Sequence, residues 1–184
     1  MKKIIGLLAV FIIVLCACNQ SKNKVVIYGD FNCPYCQKID QIIIPKLEKD
    51  YINKGKAEYR FVNPGLLGKG STKGARAYHA VKIISPDKSI EFQKRIFSKQ
   101  SNTNSRWLTD ELIDNQLEEM NLEQNKVNRI KKEYKTEGSK AWHEVDKDKK
   151  RVKDKNIKSV PTVYINNKKI KNPYKYESYK EQLK

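Results

Sequence analysis

Apolar and polar positions alternate along the chain with two different periods. Ile4 to Leu15 is an unbroken apolar run, and Val25-Val26-Ile27-Tyr28 is a short β-branched and aromatic run of the kind that forms a buried strand. Beyond it, Ile39, Ile42, Ile43, Leu47 and Tyr51 recur every three to four residues, which is the stripe of one helix face. Pro45 lies inside that stripe and predicts a kink, because it removes one helical N–H. Lys56 to Val62 alternates and stops at Asn63-Pro64-Gly65, a second strand and its turn. Strand, helix and strand in this order predict a right-handed βαβ unit.

No convincing strand follows until residue 162. Ser71 or Thr72 is placed to cap a helix reaching Ile84, where Ser85-Pro86-Asp87 ends it, and Lys88 to Lys99 supplies a second helix. Thr109, with Asp110 and Glu111 behind it, starts a third through Met120. Asn121 with Gln124 resembles a capping box for a fourth through Tyr134. Ser139 to about Lys155 reads as a fifth helix with Trp142, Val145 and Val152 on its apolar stripe and Lys147 to Lys155 as its wet face. Thr162 to Ile165, the pair Asn166-Asn167 and Lys168-Lys169-Ile170 then predict a β-hairpin, and Tyr174 to Leu183 a closing helix.

Composition narrows the class. With 184 residues, 39% apolar and 32% charged, the chain suits one domain, or a small domain carrying an insertion, and is too hydrophobic for wholesale disorder. A single long apolar run excludes a polytopic membrane protein. The formal charge of +17 points first to an anionic partner such as nucleic acid.

The N-terminus redirects that inference. Met1-Lys2-Lys3 before the short apolar run has the form of an export signal, too brief to span a bilayer comfortably. Leu15-Cys16-Ala17-Cys18, followed by polar Asn19-Gln20-Ser21-Lys22, resembles a bacterial lipobox. The resemblance implies removal of residues 1–17 and a lipid on the Cys18 sulfur. Removal of Lys2 and Lys3 leaves most of the positive charge in place, densest over residues 146–184. Outside the cell a nucleic-acid partner is not expected, whereas an anionic envelope surface or acidic unfolded clients are available, and a solvated lysine-rich face also accounts for the excess.

Of the four cysteines, Cys33 and Cys36 remain for chemistry. They stand in Phe31-Asn32-Cys33-Pro34-Tyr35-Cys36, between the first strand and the long helix. Unpaired N–H groups and the dipole at a helix N-terminus stabilise a thiolate at Cys33, and Cys36 one turn on can resolve a mixed disulfide. A purely structural disulfide uses the same pair. A zinc site needs two more ligands, and His79 and His143 lie far apart. Haem attachment needs His where Gln37 stands.

The chain resembles a thioredoxin-fold thiol-disulfide oxidoreductase of the DsbA family. The resemblance rests on Asp30-Phe31-Asn32-Cys33-Pro34-Tyr35-Cys36, on Ile44-Pro45-Lys46-Leu47 with Tyr51 and Gly55, and on Val160-Pro161-Thr162-Val163-Tyr164-Ile165-Asn166. It implies an α/β thioredoxin fold with an inserted all-helical subdomain. The halves are 24–65 and 141–184 around an insertion of 66–140, behind a tether of 18–23. It implies a redox disulfide Cys33–Cys36 tuned by Pro34, Tyr35 and Asp30, with Pro161 in the cis form and Val160 offering backbone groups to a substrate peptide. No cofactor or metal is expected. The expected partners are reduced or unfolded exported proteins and a membrane or small-molecule reoxidant, for a lipid-anchored monomer at the outer face of the cell membrane.

The function expected is disulfide formation in exported proteins. Reductase or isomerase action on the same fold, or a non-enzymatic lipoprotein chaperone or accessory role, are the alternatives. Gly68-Lys69-Gly70-Ser71 lacks the phosphate-loop order and reads as a loop into a helix. His79 reads as a core or surface residue, and His143 beside Glu144 lacks a second His at metalloprotease spacing.

Overall fold

The structure, a computed structural model, describes residues 22–100 and 107–183. The export signal, Cys18 and most of the tether lie outside the described residues. β1 (Asn23–Tyr28) leads to α1 (Pro34–Ile42) and α2 (Ile44–Leu47), which continues into a π-helical turn at Glu48–Ile52 before β2 (Ala57–Val62). The interruption falls where Pro45 predicts it. It lets Ile43, Ile44 and Leu47 bury completely while Ile42, expected on the buried stripe, turns outward.

Four helices follow: α3 (Lys69–Ile84), α4 (Ser89–Ser98) behind a 3-10 turn at Pro86–Lys88, α5 (Asp110–Glu118) and α6 (Gln124–Lys135). α7 (Lys140–Asp154) packs against α3 and α6. β3 (Thr162–Ile165), β4 (Lys168–Lys169) and the short α8 (Tyr176–Lys180) complete the described chain.

The sheet order is β2-β1-β3-β4, with β1 parallel to β2 and antiparallel to β3. This is the βαβ then ββα plan of the thioredoxin fold, with helices inserted between its halves. Asn166 and Asn167 both adopt positive φ, 49° and 67°, as a two-residue hairpin turn of matching twist requires.

Two expected caps are replaced. α3 begins at Lys69 after Gly68, because Ser71 Oγ donates to Asp30 and Thr72 Oγ1 donates to Gly65 O at 2.8 Å. Their hydroxyls fasten the β2–α3 loop and leave nothing for a cap. The Asn121–Gln124 box does not form either: Asn121 takes φ 51° in the turn and Glu123 precedes the helix. Thr109 and Ser139 cap as expected, accepting from Leu112 N at 3.2 Å and Trp142 N at 3.4 Å.

An aromatic cluster joins the two parts of the fold. The Phe31 ring centroid lies 4.9 Å from Phe97 on α4, 5.5 Å from Phe61 on β2 and 6.5 Å from Tyr78 on α3, and all four side chains are fully buried. Each such ring stabilises the fold by about 1.5–3 kcal/mol through burial alone. The loop that ends at Cys33 is therefore pinned to the inserted helices.

Candidate redox site

Cys33 is the N-cap of α1 and Pro34 its first helical residue, which needs no N–H there. Extended backbone at Cys33 (φ −92°, ψ 112°) lets its carbonyl accept from Cys36 N at 3.0 Å and Gln37 N at 3.2 Å. Its own N–H donates to Asp30 O at 3.0 Å. Both cysteines are free thiols and both are buried.

Charge environment separates them. The Cys36 side chain, hydrogen-bonded to Cys33, brings the Cys33 thiol down to about 7; burial opposes this, and the N–H groups of Cys36 and Tyr35 add to it. Burial, followed by the Cys33 partner, pushes Cys36 far up. The pair thus holds one thiolate, on Cys33, with Cys36 as its proton-bearing donor.

Cys33 Sγ lies 3.6 Å from Val160 O, and the Val160–Pro161 bond is cis. Asp30 is buried beneath the loop, where its Oδ1 accepts from Asn32 N at 2.9 Å and from Ser71 Oγ. Its Oδ2 accepts from Leu66 N at 3.0 Å and Leu67 N at 3.2 Å. The charge of Asp30 raises the Cys33 pKa slightly. Asn32 Nδ2 donates to Leu67 O at 2.7 Å, so the CxxC turn and the β2–α3 loop are laced together. Tyr35, Leu66 and Leu67 stand 64%, 60% and 45% exposed around this seam.

His79 is buried against Asp148, Nε2 to Oδ2 at 2.9 Å, and His143 is exposed. Among the described residues no three His, Cys, Asp or Glu side chains cluster as metal ligands, and no helix is long and apolar enough to cross a membrane.

The sequence profile of the family described as thioredoxin matches residues 18–184. The chain belongs to the thioredoxin family. Within this family the chain is 34% identical over 168 residues to disulfide bond formation protein D of Bacillus subtilis, covering 90% of this chain and 72% of the relative. Probable disulfide bond formation protein D of Bacillus anthracis is 33% identical over 152 residues, covering 80% and 67%. The oxidised crystal structure of BdbD from Bacillus subtilis superposes with a TM-score of 0.78 at 32% identity, covering 90% of this chain and 88% of that one. The thiol-disulfide exchange protein alpha-DsbA2 of Wolbachia pipientis, at 20% identity and TM-score 0.71 over 90% and 82%, shares the fold. This thioredoxin-family chain is a DsbA-like protein-disulfide oxidoreductase, and Cys33 and Cys36 are its dithiol pair.

Several residues around the pair were not read from sequence. Asn32 and Ser71 act through tertiary contacts that local pattern does not encode. Gln37 Nε2 donates to Phe97 O at 2.7 Å and ties α1 to the end of α4. Tyr174, its hydroxyl pushed up by burial and then by the Cys33 charge, borders the pair, with Lys38 Nζ 5.4 Å from its ring centroid. A partial signal existed only for Asp40: it follows Ile39 on the buried side of α1, where a carboxylate is out of place.

Proposed function

We propose that this oxidoreductase runs as a dithiol oxidase on exported proteins. The observation that carries the proposal is the opposed acidity of the pair: a Cys33 thiol brought down to about 7 beside a Cys36 thiol pushed up. A stabilised Cys33 thiolate lowers the free energy of the reduced form, which makes the disulfide form an oxidant.

A substrate thiolate attacks Cys33 Sγ of the Cys33–Cys36 disulfide; the S–S bond breaks, and Cys36 leaves and takes a proton. A second substrate thiolate attacks the substrate sulfur of the mixed disulfide and expels the Cys33 thiolate. The substrate loses two electrons and the enzyme gains them. Val160 and cis-Pro161 offer backbone to the substrate chain, Tyr35 gives it an exposed apolar contact, and Pro34 fixes the start of α1. Asp30 positions the loop and tunes Cys33.

Residues 1–17 serve as an export signal and Cys18 as the lipid attachment, which places the enzyme outside the membrane as a tethered monomer. Thioredoxin halves at 24–65 and 141–184 flank the insertion at 66–140. Reoxidation of the dithiol by a membrane or small-molecule oxidant closes the cycle.

Urea unfolding of reduced and oxidised protein tests the direction. The oxidase reading requires the reduced form to be the more stable; equal stabilities, or a more stable oxidised form, would sink it. For the anchor, Cys18→Ser should move the protein from the membrane fraction to the medium.

A further inference from the structure

A large cleft lies away from the cysteines. It measures about 1190 Å³ and follows Ala57 to Arg60 along the outer edge of β2, then spreads over one face of the sheet. Register identifies that face. A side chain at Gly29 would meet the Phe61 ring and Cys36 Sγ, so Val25, Ile27 and Phe61 share the face of the redox pair. Arg60, Val26 and Tyr164 form one cross-strand row on the opposite face, and Val62, Tyr28 and Thr162 the next. Lys82, from the last turn of α3, and Arg151, from α7, line the cleft beside these rows.

Positive charge at this end of the cleft is short of counter-charge. Arg151 Nη1 donates to Asp148 Oδ1 at 2.7 Å, but Asp148 Oδ2 already meets His79 Nε2 at 2.9 Å and Asn63 N at 2.8 Å. Among the described residues neither Arg60 nor Lys82 has a carboxylate within ion-pair distance, and the half-buried Lys82 amine stands 6.0 Å from the Tyr78 ring centroid. Burial and then the Arg60 charge push Lys82 down, with Arg151 adding to the repulsion and Asp148 opposing it. Elsewhere in the cleft Lys88 meets Glu91 at 2.9 Å, Lys94 meets Glu48 at 2.8 Å and Asp154 is held by Lys150 at 2.6 Å, Glu58 is the cross-strand neighbour of Lys24, and Asp87 and Lys155 line the wall as well.

We propose that Arg60, Lys82 and Arg151 form a binding site for a phosphate ester, either free in solution or displayed as a lipid headgroup. Two guanidinium forks and an ammonium supply more donors than a carboxylate can accept, whereas a tetrahedral phosphate has acceptor oxygens for all three. Tyr28, which lines the cleft, packs its ring edge to face against Tyr164 at 5.9 Å. None of these side chains belongs to the redox site, so the proposal stands whichever direction the disulfide chemistry runs.

The test compares the wild type, Arg60→Gln/Lys82→Gln and a control of equal charge change, Arg129→Gln/Lys132→Gln on the exposed side of α6. Glycerol phosphate is titrated by calorimetry at low ionic strength, with thiol-exchange activity confirming that each variant is folded. The expected result is saturable binding that weakens about tenfold or more in the cleft variant and less than about twofold in the control. Should the double variant fail to fold, Arg60→Gln alone, at an exposed strand position, is read the same way. Absence of saturation in the wild type, or equal loss in both variants, would overturn the proposal. Co-sedimentation with phosphatidylglycerol–phosphatidylcholine vesicles separates the sources. Vesicle binding lost in the cleft variant and displaced by glycerol phosphate assigns the headgroup, and glycerol phosphate binding without vesicle binding assigns the free ester.

Discussion

Cys33 Sγ faces the carbonyl oxygen of Val160 at 3.6 Å across 127 residues of sequence. A thiol can donate to that oxygen, but a thiolate gains nothing from it, so the contact does not make Cys33 acidic. The acidity comes from the Cys36 thiol and from the N–H groups of Cys36 and Tyr35 at the helix start. Removing the strongest of these sources is a direct check. Alkylation of reduced protein by iodoacetamide should follow a midpoint near pH 7. In Cys36→Ala the midpoint should rise by about one unit, as loss of a hydrogen bond to the charged form requires.

The same thiolate couples redox state to pH. Its pKa in the folded reduced protein, about 7, lies below the unfolded value. The stability it contributes is therefore complete above the unfolded pKa of about 8.5, and is lost as pH falls through 7. Urea unfolding of both redox forms from pH 8 to pH 5.5 should show the advantage of the reduced form shrinking by on the order of 1 kcal/mol, the Cys36 thiol, pushed far up, opposing the gain at higher pH. An advantage independent of pH would contradict the thiolate as its source.

Asp30→Asn should have two effects of opposite kind. The carboxamide cannot accept at both ends, so a donor from Leu66, Leu67, Asn32 or Ser71 is left facing an NH2 group, at a cost of about 2 kcal/mol. Removing the negative charge should also move the Cys33 alkylation midpoint below 7, because that charge raises it. Lower stability together with a more acidic Cys33 is the expected signature.

Asp40 sets a second pH dependence. Burial raises its carboxyl to about 7, against the hydrogen bond from Gln93 Nε2 at 2.8 Å and the charge of Lys94, while Glu48 adds to the rise. Its folded pKa exceeds its unfolded one, so its contribution is present below about pH 4 and is lost as pH rises through 7. In the oxidised protein, where Cys33 does not titrate, Asp40→Asn should unfold near wild-type urea concentrations at pH 4 and at clearly higher ones at pH 8.5. A difference that does not change with pH would refute the assignment.

Two glycines offer a contrast in packing. Gly65 has φ +64°, and a Cβ there would lie 2.7 Å from the Thr72 Cα; Gly55 has φ +67° and open space. Gly65→Ala should cost about 3 kcal/mol or more, from backbone overlap added to conformational strain, and Gly55→Ala about 1 kcal/mol from strain alone. Thermal unfolding of the two variants checks the difference.

What the sequence made legible follows from where the information sits. The order of strands, the helical insertion, the kink at Pro45 and the CxxC at a helix start are local patterns of apolar period and turn residues, and they reappear in the structure. The roles of Ser71 and Thr72 were misread because each hydroxyl has a tertiary acceptor, Asp30 and Gly65, that outcompetes a local cap. Asp148 sits in the charge run that reads as the wet face of its helix. Yet it falls three residues after Val145, on the buried stripe of α7, where it serves His79, Arg151 and the Asn63 N–H together. A carboxylate on an apolar stripe marks such a network, but its partners become visible only once the fold is built.

The central claim is that a stabilised Cys33 thiolate makes this enzyme an oxidant. Equilibrating the Cys33–Cys36 pair with glutathione buffers measures its potential directly. The account predicts a value well above that of thioredoxin, about −270 mV, toward the oxidising end of the family near about −120 mV. A potential at or below the thioredoxin value would contradict it and assign the chain to disulfide reduction.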